Sequence, residues 1–447
     1  MATLTKNRFI FLELLCGLIS AHGLDIAIVG AGPSGLVSAR NALKDGHKVD
    51  IYEKSEAIGG VWYYTDKTGN DSFGFPIHSP MYHGMRTNIP HQIMEFPGWK
   101  YPEGSQSYPT YEAVWSYIDS YAKKFKLMEH IKLRHLVEEI ISLPNDRWQV
   151  NAKIFPAQQT QNKTYDAVFI CTNLYSWPYT PHIDDADKFE GIILHSHDFR
   201  KADDFRGKEV LIIGSGESAR DIGRLLSKTA KRIAISTNQR PFESDEARLQ
   251  LYGANFSYKP TVKCFTPNGA AFSNGTSQTF DTVIYATGYR YKFPFLSNDT
   301  GIKVDDNFIY PLYKQVLNIE HPTMAFIGVP LFGVNNYVYD LQARFALKFL
   351  SKSKEFPSQN SMYLDTNAYV ENLWKVWKVP KSKTHLIGLM NFKQYYEEFA
   401  RIADIAKIPD IIQTLFHDAI MNIFQDPVGY RNYKYIIKGD KYEKEKE

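Results

Sequence analysis

The sequence predicts an α/β protein with two parallel-sheet modules, because one strand–turn–helix–strand pattern occurs twice along its 447 residues. The first copy starts with an apolar run at 24–30, passes through a glycine-rich turn into helical spacing at 36–46, and ends with a strand at 47–54. The second copy repeats this order between 208 and 236. This order is typical of a βαβ unit, whose two strands lie parallel.

The turn of the first copy has the spacing of a dinucleotide-binding loop. It reads Gly30-Ala31-Gly32-Pro33-Ser34-Gly35. Gly30 permits the tight turn, Gly32 lets the backbone approach a pyrophosphate, and Gly35 lets the helix pack on the strand. Glu53 ends the next strand, where an acidic side chain binds a ribose hydroxyl. These positions predict the FAD site.

A glycine pair and a tryptophan follow Glu53 directly. Gly60, Val61 and Trp62 belong to a GGxW element that can bring backbone against the ribityl chain and the flavin. A simple turn with a core tryptophan is the alternative reading of the same residues.

The turn of the second copy indicates a second nucleotide. It reads Gly214-Ser215-Gly216-Glu217-Ser218-Ala219. The strand after it has no acid at its end and runs into a polar segment that closes with Arg240. An acid there would repel a 2′-phosphate, whereas hydroxyls and an arginine favour one, so we predict NADPH. Arg240 either binds that phosphate or is a solvated surface arginine.

Two further apolar strands, near 165–171 and 280–289, each lead into irregular sequence and are the candidate crossings between modules. We therefore predict two Rossmann-like dinucleotide-binding domains, with the NADPH domain inserted into the FAD domain. The predicted limits are residues 24–178 and 286–447 for the FAD domain and 179–285 for the NADPH domain. Residues 74–112 lack periodicity, which favours a long functional loop, and 112–131 have helical spacing.

The N-terminal residues 1–23 have the layout of a secretory signal peptide: a short basic segment, an apolar run, and small residues at a cleavage site. A fraying strand or an uncleaved interfacial anchor is the alternative. Five N-x-S/T sequons agree with secretion, at Asn70, Asn162, Asn255, Asn274 and Asn298. The C-terminal end is charged, so we expect a mature protein without a membrane anchor.

Composition limits the remaining function classes. The net charge of +3 with 23% charged residues gives no indication of a nucleic-acid partner. Three cysteines with no CxxC pair are too few for a disulfide framework, and we expect Cys171 and Cys264 to be buried free thiols rather than one bridge. No metal site is predicted, and a homo-oligomer is compatible with the sequence.

One sequence element narrows the class of flavoprotein to which the chain is similar. Residues 189–199 spell FxGxxxHxxxF, which resembles the identifying sequence of flavin-containing monooxygenases. The glycine turns, the segment at 81–90, YATGY at 285–289 and LQARFA at 341–346 are similar to that family too. Related Baeyer–Villiger enzymes end the element with Trp where this chain has Phe199. The family's usual Thr-Gly-His after the 165–171 strand is Thr172-Asn173-Leu174 here, so any role of that histidine is lost.

The resemblance implies that NADPH reduces FAD and that oxygen then forms a C4a-hydroperoxide, whose distal oxygen passes to an amine or sulfide. It implies Asn88 as the active-site asparagine beside flavin and NADP⁺, with Thr87 next to it, and Gln342 as a flavin or ribose contact. It implies a supporting rather than catalytic role for His195.

The leader and the sequons resemble those of the secreted insect branch, which includes N-oxygenases of pyrrolizidine alkaloids such as senecionine. We therefore expect alkaloid N-oxygenation. A broad amine and sulfide oxygenase, or a non-catalytic secreted flavin- or nucleotide-binding protein, is the alternative.

Overall fold

The computed structural model describes residues 23–172, 174–330, 333–387 and 392–446. Its strands are β1 (Asp25–Val29), β2 (Lys48–Glu53), β3 (Ile131–Leu133), β4 (His135–Leu143), β5 (Arg147–Ile154), β6 (Gln159–Tyr165), β7 (Ala167–Ile170), β8 (Ile192–His195), β9 (Glu209–Ile213), β10 (Arg232–Ser236), β11 (Phe256–Lys259), β12 (Val262–Thr266), β13 (Gly269–Phe272), β14 (Ser277–Thr279), β15 (Thr282–Tyr285), β16 (Lys303–Asp305), β17 (Phe308–Tyr310), β18 (Leu312–Tyr313), β19 (Leu317–Asn318), β20 (Met324–Phe326), β21 (Tyr433–Lys438) and β22 (Lys441–Lys446). Its α-helices are α1 (Pro33–Lys44), α2 (Tyr111–Lys124), α3 (Glu217–Leu226), α4 (Asp245–Tyr252), α5 (Asn335–Leu350), α6 (Gln359–Glu371), α7 (Phe392–Ala403) and α8 (Asp410–Gln425).

The larger sheet combines strands from both ends of the chain. Its order is β18-β19-β20-β7-β1-β2-β3, and β1 runs parallel to both β2 and β7. β20 joins β7 in parallel although more than 150 residues separate them in sequence. The apolar runs of β1 and β7 are almost entirely buried, as expected of strands covered on both faces.

The second sheet has the order β11-β10-β9-β15-β8, and all its pairings are parallel. Every one of its strands lies between β7 and β16 in sequence. The second module is therefore inserted into the first, as the sequence predicts. A small antiparallel sheet of β12, β13 and β14 belongs to the same inserted stretch.

The chain crosses between the modules twice, and the crossings lie side by side. The Tyr179 amide donates to the Gly288 carbonyl at 2.9 Å, and the Arg290 amide donates to the Trp177 carbonyl at 2.8 Å. These contacts lie next to the predicted limits after residues 178 and 285, and the limits themselves stay a prediction.

The predicted helix at 112–131 is too long. α2 ends at Lys124, and Lys126 has a left-handed φ of 54°. Residues from Ile131 onward are extended because β3 pairs with β2. A 3₁₀ turn at Leu127–His130 follows Lys126, so of the predicted helical residues only Ile131 lies in a strand. The long irregular loop is confirmed: between residues 74 and 110 the only helical element is a 3₁₀ turn at His91–Ile93.

Other sequence expectations have mixed outcomes. The predicted signal peptide lies, apart from Gly23, outside the described residues. Both described cysteines are free thiols as expected, but only Cys171 is buried, whereas Cys264 in β12 is half-buried.

Across the described ranges, no helix is long and apolar enough to cross a membrane. All five sequon asparagines are exposed: Asn70, Asn162, Asn255, Asn274 and Asn298.

Candidate active site

One cavity of about 690 Å³ lies where the two modules meet. Its size falls within the range of small-molecule and cofactor sites, about 300–1,000 Å³. Of the residues predicted to bind cofactor, it is lined by Gly30, Gly32, Pro33, Ser34, Glu53, Gly60, Val61, Trp62, Thr87, Asn88, Glu217 and Ser218. The structure therefore brings residues of both glycine turns to one space.

The first turn needs glycine at its first position. Gly30 has φ +108°, and a Cβ there would lie 3.0 Å from the Cys171 carbonyl oxygen at the end of β7. Gly32 is the N-cap of α1 and supplies no side-chain cap, whereas Thr110 caps α2 through its side chain. The first N–H groups of α1 are thus left for a ligand, and the positive end of the helix favours phosphate.

Glu53 is buried beside this turn, with 5% of its surface exposed. Its Oε2 accepts a hydrogen bond from the Ala31 amide at 2.9 Å. Its Oε1 accepts from the Ser55 amide at 2.9 Å and from the Ser55 hydroxyl at 2.7 Å. A carboxylate has about four acceptor positions, so Glu53 retains capacity for a ribose hydroxyl.

The loop that carries Thr87 and Asn88 forms another part of the wall. Thr87 is 2% exposed, and its hydroxyl has no hydrogen-bond partner in the part of the chain that the structure describes. The hydroxyls of Tyr101 and Thr172, which also line the cavity, share this property. Buried polar atoms need a partner, and a polar ligand in the cavity would provide one. Asn88 is half-buried and lines the same space.

The second turn repeats the geometry of the first. Gly214 has φ +115°, and a Cβ there would lie 2.4 Å from the Ala286 carbonyl oxygen, just after β15. Gly216 is the N-cap of α3, again without a side-chain cap, and no atom of the described ranges lies within 4 Å of where its Cβ would be. That open space permits the close backbone approach of a pyrophosphate.

Polar side chains surround the second turn on the outside of the cavity. The Thr237 hydroxyl donates to the Ser215 hydroxyl at 2.9 Å, and the Ser215 hydroxyl donates to the Gln239 side chain at 3.2 Å. Arg240 follows and is exposed. This hydroxyl, amide and arginine surface has no acid at the strand end, which fits a 2′-phosphate better than a bare ribose. The sequence identified Arg240 and the hydroxyls of this segment as favourable to the phosphate, but it did not identify the Gln239 side chain.

Six of the predicted residues do not line the cavity: Gly35, Gln342, Gly214, Ser215, Gly216 and Arg240. Gly35 lies under the first turn, where a Cβ would collide with the Gly30 carbonyl oxygen, so it serves packing as predicted. Gln342 is fully buried in α5, and its Oε1 accepts the Gly328 amide at 2.8 Å. Its proposed contact with flavin or ribose stays a prediction.

His195 has the environment of a supporting residue. Its Nδ1 accepts the His197 amide at 3.0 Å, and its ring meets the Tyr289 ring edge-on at 5.2 Å. Burial lowers the pKa of His195 to about 4, so the ring is neutral at pH 7. Tyr289 itself lines the cavity.

Sequence reasoning missed several wall residues. Tyr82, Asp221 and Arg431 line the cavity and contact one another. Aromatic side chains of Tyr175, Trp177 and Tyr339 line it as well. Arg431 lies more than 200 residues from Asp221 in sequence, so no local motif could have linked them.

These residues fit FAD and NADPH. Two uncapped helix starts, a buried acid with spare acceptor capacity and unpartnered buried hydroxyls are the groups that two dinucleotides require. Across the described residues, no group of three or more His, Cys, Asp or Glu side chains could hold a metal ion.

Comparison with known proteins agrees with this geometry. Residues 23–244 and 239–444 match the family model described as flavin-binding monooxygenase-like. Senecionine N-oxygenase of Tyria jacobaeae is 32% identical over 98% of this chain and 97% of its own length. The structure of S-allyl-L-cysteine S-oxygenase from Allium sativum is 29% identical with a TM-score of 0.85, covering 92% of this chain and 95% of its own. Tmm from a Pelagibacter strain is 28% identical with a TM-score of 0.82, covering 94% and 95%.

The family match spans nearly all described residues, and the solved relatives share the two-module α/β architecture. The chain belongs to the flavin-binding monooxygenase-like family and is an NADPH-dependent flavin monooxygenase that uses FAD.

Proposed function

We propose that this protein N-oxygenates a tertiary amine and that pyrrolizidine alkaloids such as senecionine are its substrates. The observation that carries the proposal is the full-length similarity to an insect senecionine N-oxygenase, at 32% identity over 98% of the chain. When bound, FAD activates oxygen with electrons from NADPH, and the protein supplies binding, orientation and exclusion of water.

The cavity wall suits a largely apolar amine. Nitrogen attacks oxygen through its lone pair, so the reacting amine must be unprotonated. Tyr175, Trp177 and Tyr339 line the cavity with aromatic surface, against which an apolar ring system can pack. The Lys292 ammonium lies 5.2 Å from the Trp177 ring centroid and also lines the cavity, as do Glu138 and Glu217.

Asn88 is the proposed active-site residue. Its amide can donate and accept hydrogen bonds, and it does not titrate. Such a group can bond to the flavin and to the nicotinamide at the same time, whatever the pH. Thr87, next to it, offers a buried hydroxyl that has no hydrogen-bond partner among the described residues.

We propose that the protein is secreted. The leader-like residues 1–23 and the exposed positions of all five sequon asparagines support this location. The protein is expressed in cultured insect cells, and mass spectra of the protein from medium and from lysate are compared before and after deglycosylation. Protein found only in the lysate, with an intact N-terminus and no mass change, would contradict it.

The substrate test uses purified protein with FAD, NADPH and oxygen. Senecionine, a simple tertiary amine and an aryl alkyl sulfide are each incubated, and products are identified by mass spectrometry. We expect senecionine N-oxide with a kcat/KM at least about tenfold above that of the simple amine, the gain expected from about 1.4 kcal/mol of added transition-state binding. Turnover of the sulfide and the simple amine without senecionine N-oxide would refute the alkaloid proposal.

A broad amine and sulfide oxygenase is the second candidate. The similarity to S-allyl-L-cysteine S-oxygenase, at 29% identity over 92% of the chain, favours it. It predicts comparable kcat/KM values for amine and sulfide in the same panel.

A further inference from the structure

An ion pair in the cavity wall joins three parts of the chain that are distant in sequence. The Arg431 Nη1 atom lies 2.8 Å from the Asp221 Oδ1 atom. The two side chains are 10% and 15% exposed. Arg431 lies just before β21, whereas Asp221 lies in α3, the helix that starts at the second glycine turn. The pair therefore connects the C-terminal part of the chain to the inserted module.

The remaining donors of Arg431 reach the loop that carries Asn88. Its Nε donates to the Thr87 carbonyl at 3.0 Å, and its Nη2 donates to the Arg86 carbonyl at 3.1 Å. These are the two peptide carbonyls directly before Asn88 in sequence. The position of Asn88 is thereby tied to the guanidinium.

Asp221 is held from a second side. Its Oδ2 accepts the Tyr82 hydroxyl at 2.8 Å, so both carboxylate oxygens have a donor. Tyr82 belongs to the same irregular stretch as Asn88. Asp221 thus connects both ends of the segment at 82–88 to α3.

We infer that Arg431, held by Asp221, is a positioning residue that fixes Asn88 between the flavin side of the cavity and the nucleotide-binding helix α3. This inference rests on the monooxygenase activity and on the proposed role of Asn88, but it does not depend on which substrate is oxygenated.

The geometry requires arginine rather than a generic cation. A guanidinium presents several N–H donors in a fixed plane, and here its three nitrogens address one carboxylate and two carbonyls. A lysine ammonium is a point charge on a flexible stem and cannot hold this fork.

Direct binding of a nucleotide phosphate fits Arg431 less well. Its charge is paired with the Asp221 carboxylate, and each of its nitrogens already donates to a protein oxygen. A phosphate would have to compete with the Asp221 carboxylate for the guanidinium charge, which would weaken the contact that holds the segment at 86–88.

The test compares Arg431→Met with Arg344→Met. Arg344 is a matched control: its Nε bonds the Asp340 carboxylate at 2.7 Å, its Nη1 bonds the Ala406 carbonyl at 2.9 Å, and it does not line the cavity. The measurements are oxygenated product and hydrogen peroxide per NADPH consumed, with whichever amine or sulfide the wild type accepts. Amide hydrogen exchange of residues 84–90 gives a readout that is independent of turnover.

We expect Arg431→Met to retain FAD, to lose at least about fivefold in product per NADPH, and to exchange faster at 84–90. A misplacement of about 1 Å can cost up to about 100-fold in rate, so fivefold is a conservative expectation. Arg344→Met should match the wild type in coupling and in exchange at 84–90. Unchanged coupling in Arg431→Met, or an equal loss in both variants, would overturn the inference.

A double-mutant cycle with Asn88→Ala shows whether Arg431 acts through Asn88. In the Asn88→Ala background, Arg431→Met should lower coupling by less than about twofold, because the group it positions is already gone. Losses that multiply would overturn the inference. The NADP⁺ Kd is measured by calorimetry in the same variants. If Arg431→Met raises this Kd by more than about tenfold, both alone and in the Asn88→Ala background, Arg431 is a direct nucleotide ligand and the inference is overturned.

If Arg431→Met does not fold, Arg431→Lys and Asp221→Asn replace it. Both keep side-chain volume, and both should lower product per NADPH while retaining FAD. Coupling equal to the wild type in both would overturn the inference. A wild-type protein that consumes NADPH but oxygenates no senecionine would instead count only against the proposed substrate.

Discussion

Glu53→Gln is a demanding test of the FAD site. The substitution keeps shape and removes one carboxylate oxygen together with the negative charge. Glu53 is 5% exposed, and its two oxygens accept three hydrogen bonds, from the Ala31 amide, the Ser55 amide and the Ser55 hydroxyl. If the glutamine oxygen faces Ser55, the side-chain NH₂ group faces the Ala31 N–H. Two donors would then face each other.

The expected magnitude follows from this geometry. A hydrogen bond to a charged acceptor contributes about 1.5–3 kcal/mol. Loss of one such bond to the ribose raises the FAD Kd by about 10- to 150-fold. The clash of donors at Ala31 also lowers the stability of the FAD-free protein, by about 1–3 kcal/mol for one unsatisfied buried donor.

The assay titrates FAD into deflavinated protein and follows quenching of flavin fluorescence. Glu56→Gln is the matched control, since Glu56 is 61% exposed and pairs with Arg134 at the surface. A surface ion pair contributes at most about 1 kcal/mol, and Glu56 does not line the cavity. A Glu53→Gln Kd within about threefold of the wild type, or an equal effect in Glu56→Gln, would refute the ribose assignment.

Three further predictions concern catalysis, cofactor choice and pH. Asn88→Ala should keep FAD bound but divert NADPH to hydrogen peroxide, and an unchanged ratio of product to NADPH would contradict its role. Arg240→Ala should raise KM for NADPH about 10-fold or more while KM for NADH changes less than about twofold, since only the 2′-phosphate is lost as a partner; equal changes would identify a surface arginine. Burial lowers the pKa of His385 to about 3, so the unfolded chain takes up a proton below pH 6.5 that the folded protein does not. This proton uptake destabilises the fold by about 2 kcal/mol between pH 7 and pH 5. We measure the free energy of unfolding by chemical denaturation at pH 7 and at pH 5. In His385→Gln this free energy should fall by about 2 kcal/mol less than in the wild type. An equal fall in both proteins would refute the prediction.

The parts of the fold that rest on local pattern could be predicted from the sequence. Each glycine turn, its strand and its helix lie within 30 consecutive residues, and the structure has them where the spacing indicates. The insertion could be predicted too, because the apolar strands before Cys171 and Ala286 are both followed by irregular sequence.

Features that depend on contacts between distant residues could not be predicted. Residues from Ile131 onward form β3 because they pair with a strand about 80 residues earlier. The pairing of Arg431 with Asp221 spans 210 residues and has no motif. Gln342 was identified only by resemblance, and its hydrogen bond joins α5 to the Gly328 amide just after β20.

The two turns also share a feature that links the nucleotide sites to the crossings between the modules. Gly30 lies against the Cys171 carbonyl, and Gly214 lies against the Ala286 carbonyl. Both carbonyls belong to the first residue after a central strand, at the point where the chain leaves one module for the other. Each turn is therefore in close contact with the backbone that leads into a crossing. The cavity between the modules, with Asn88 in its wall, lies beside both crossings, because Trp177 of the first crossing and Tyr289 of the second crossing line it.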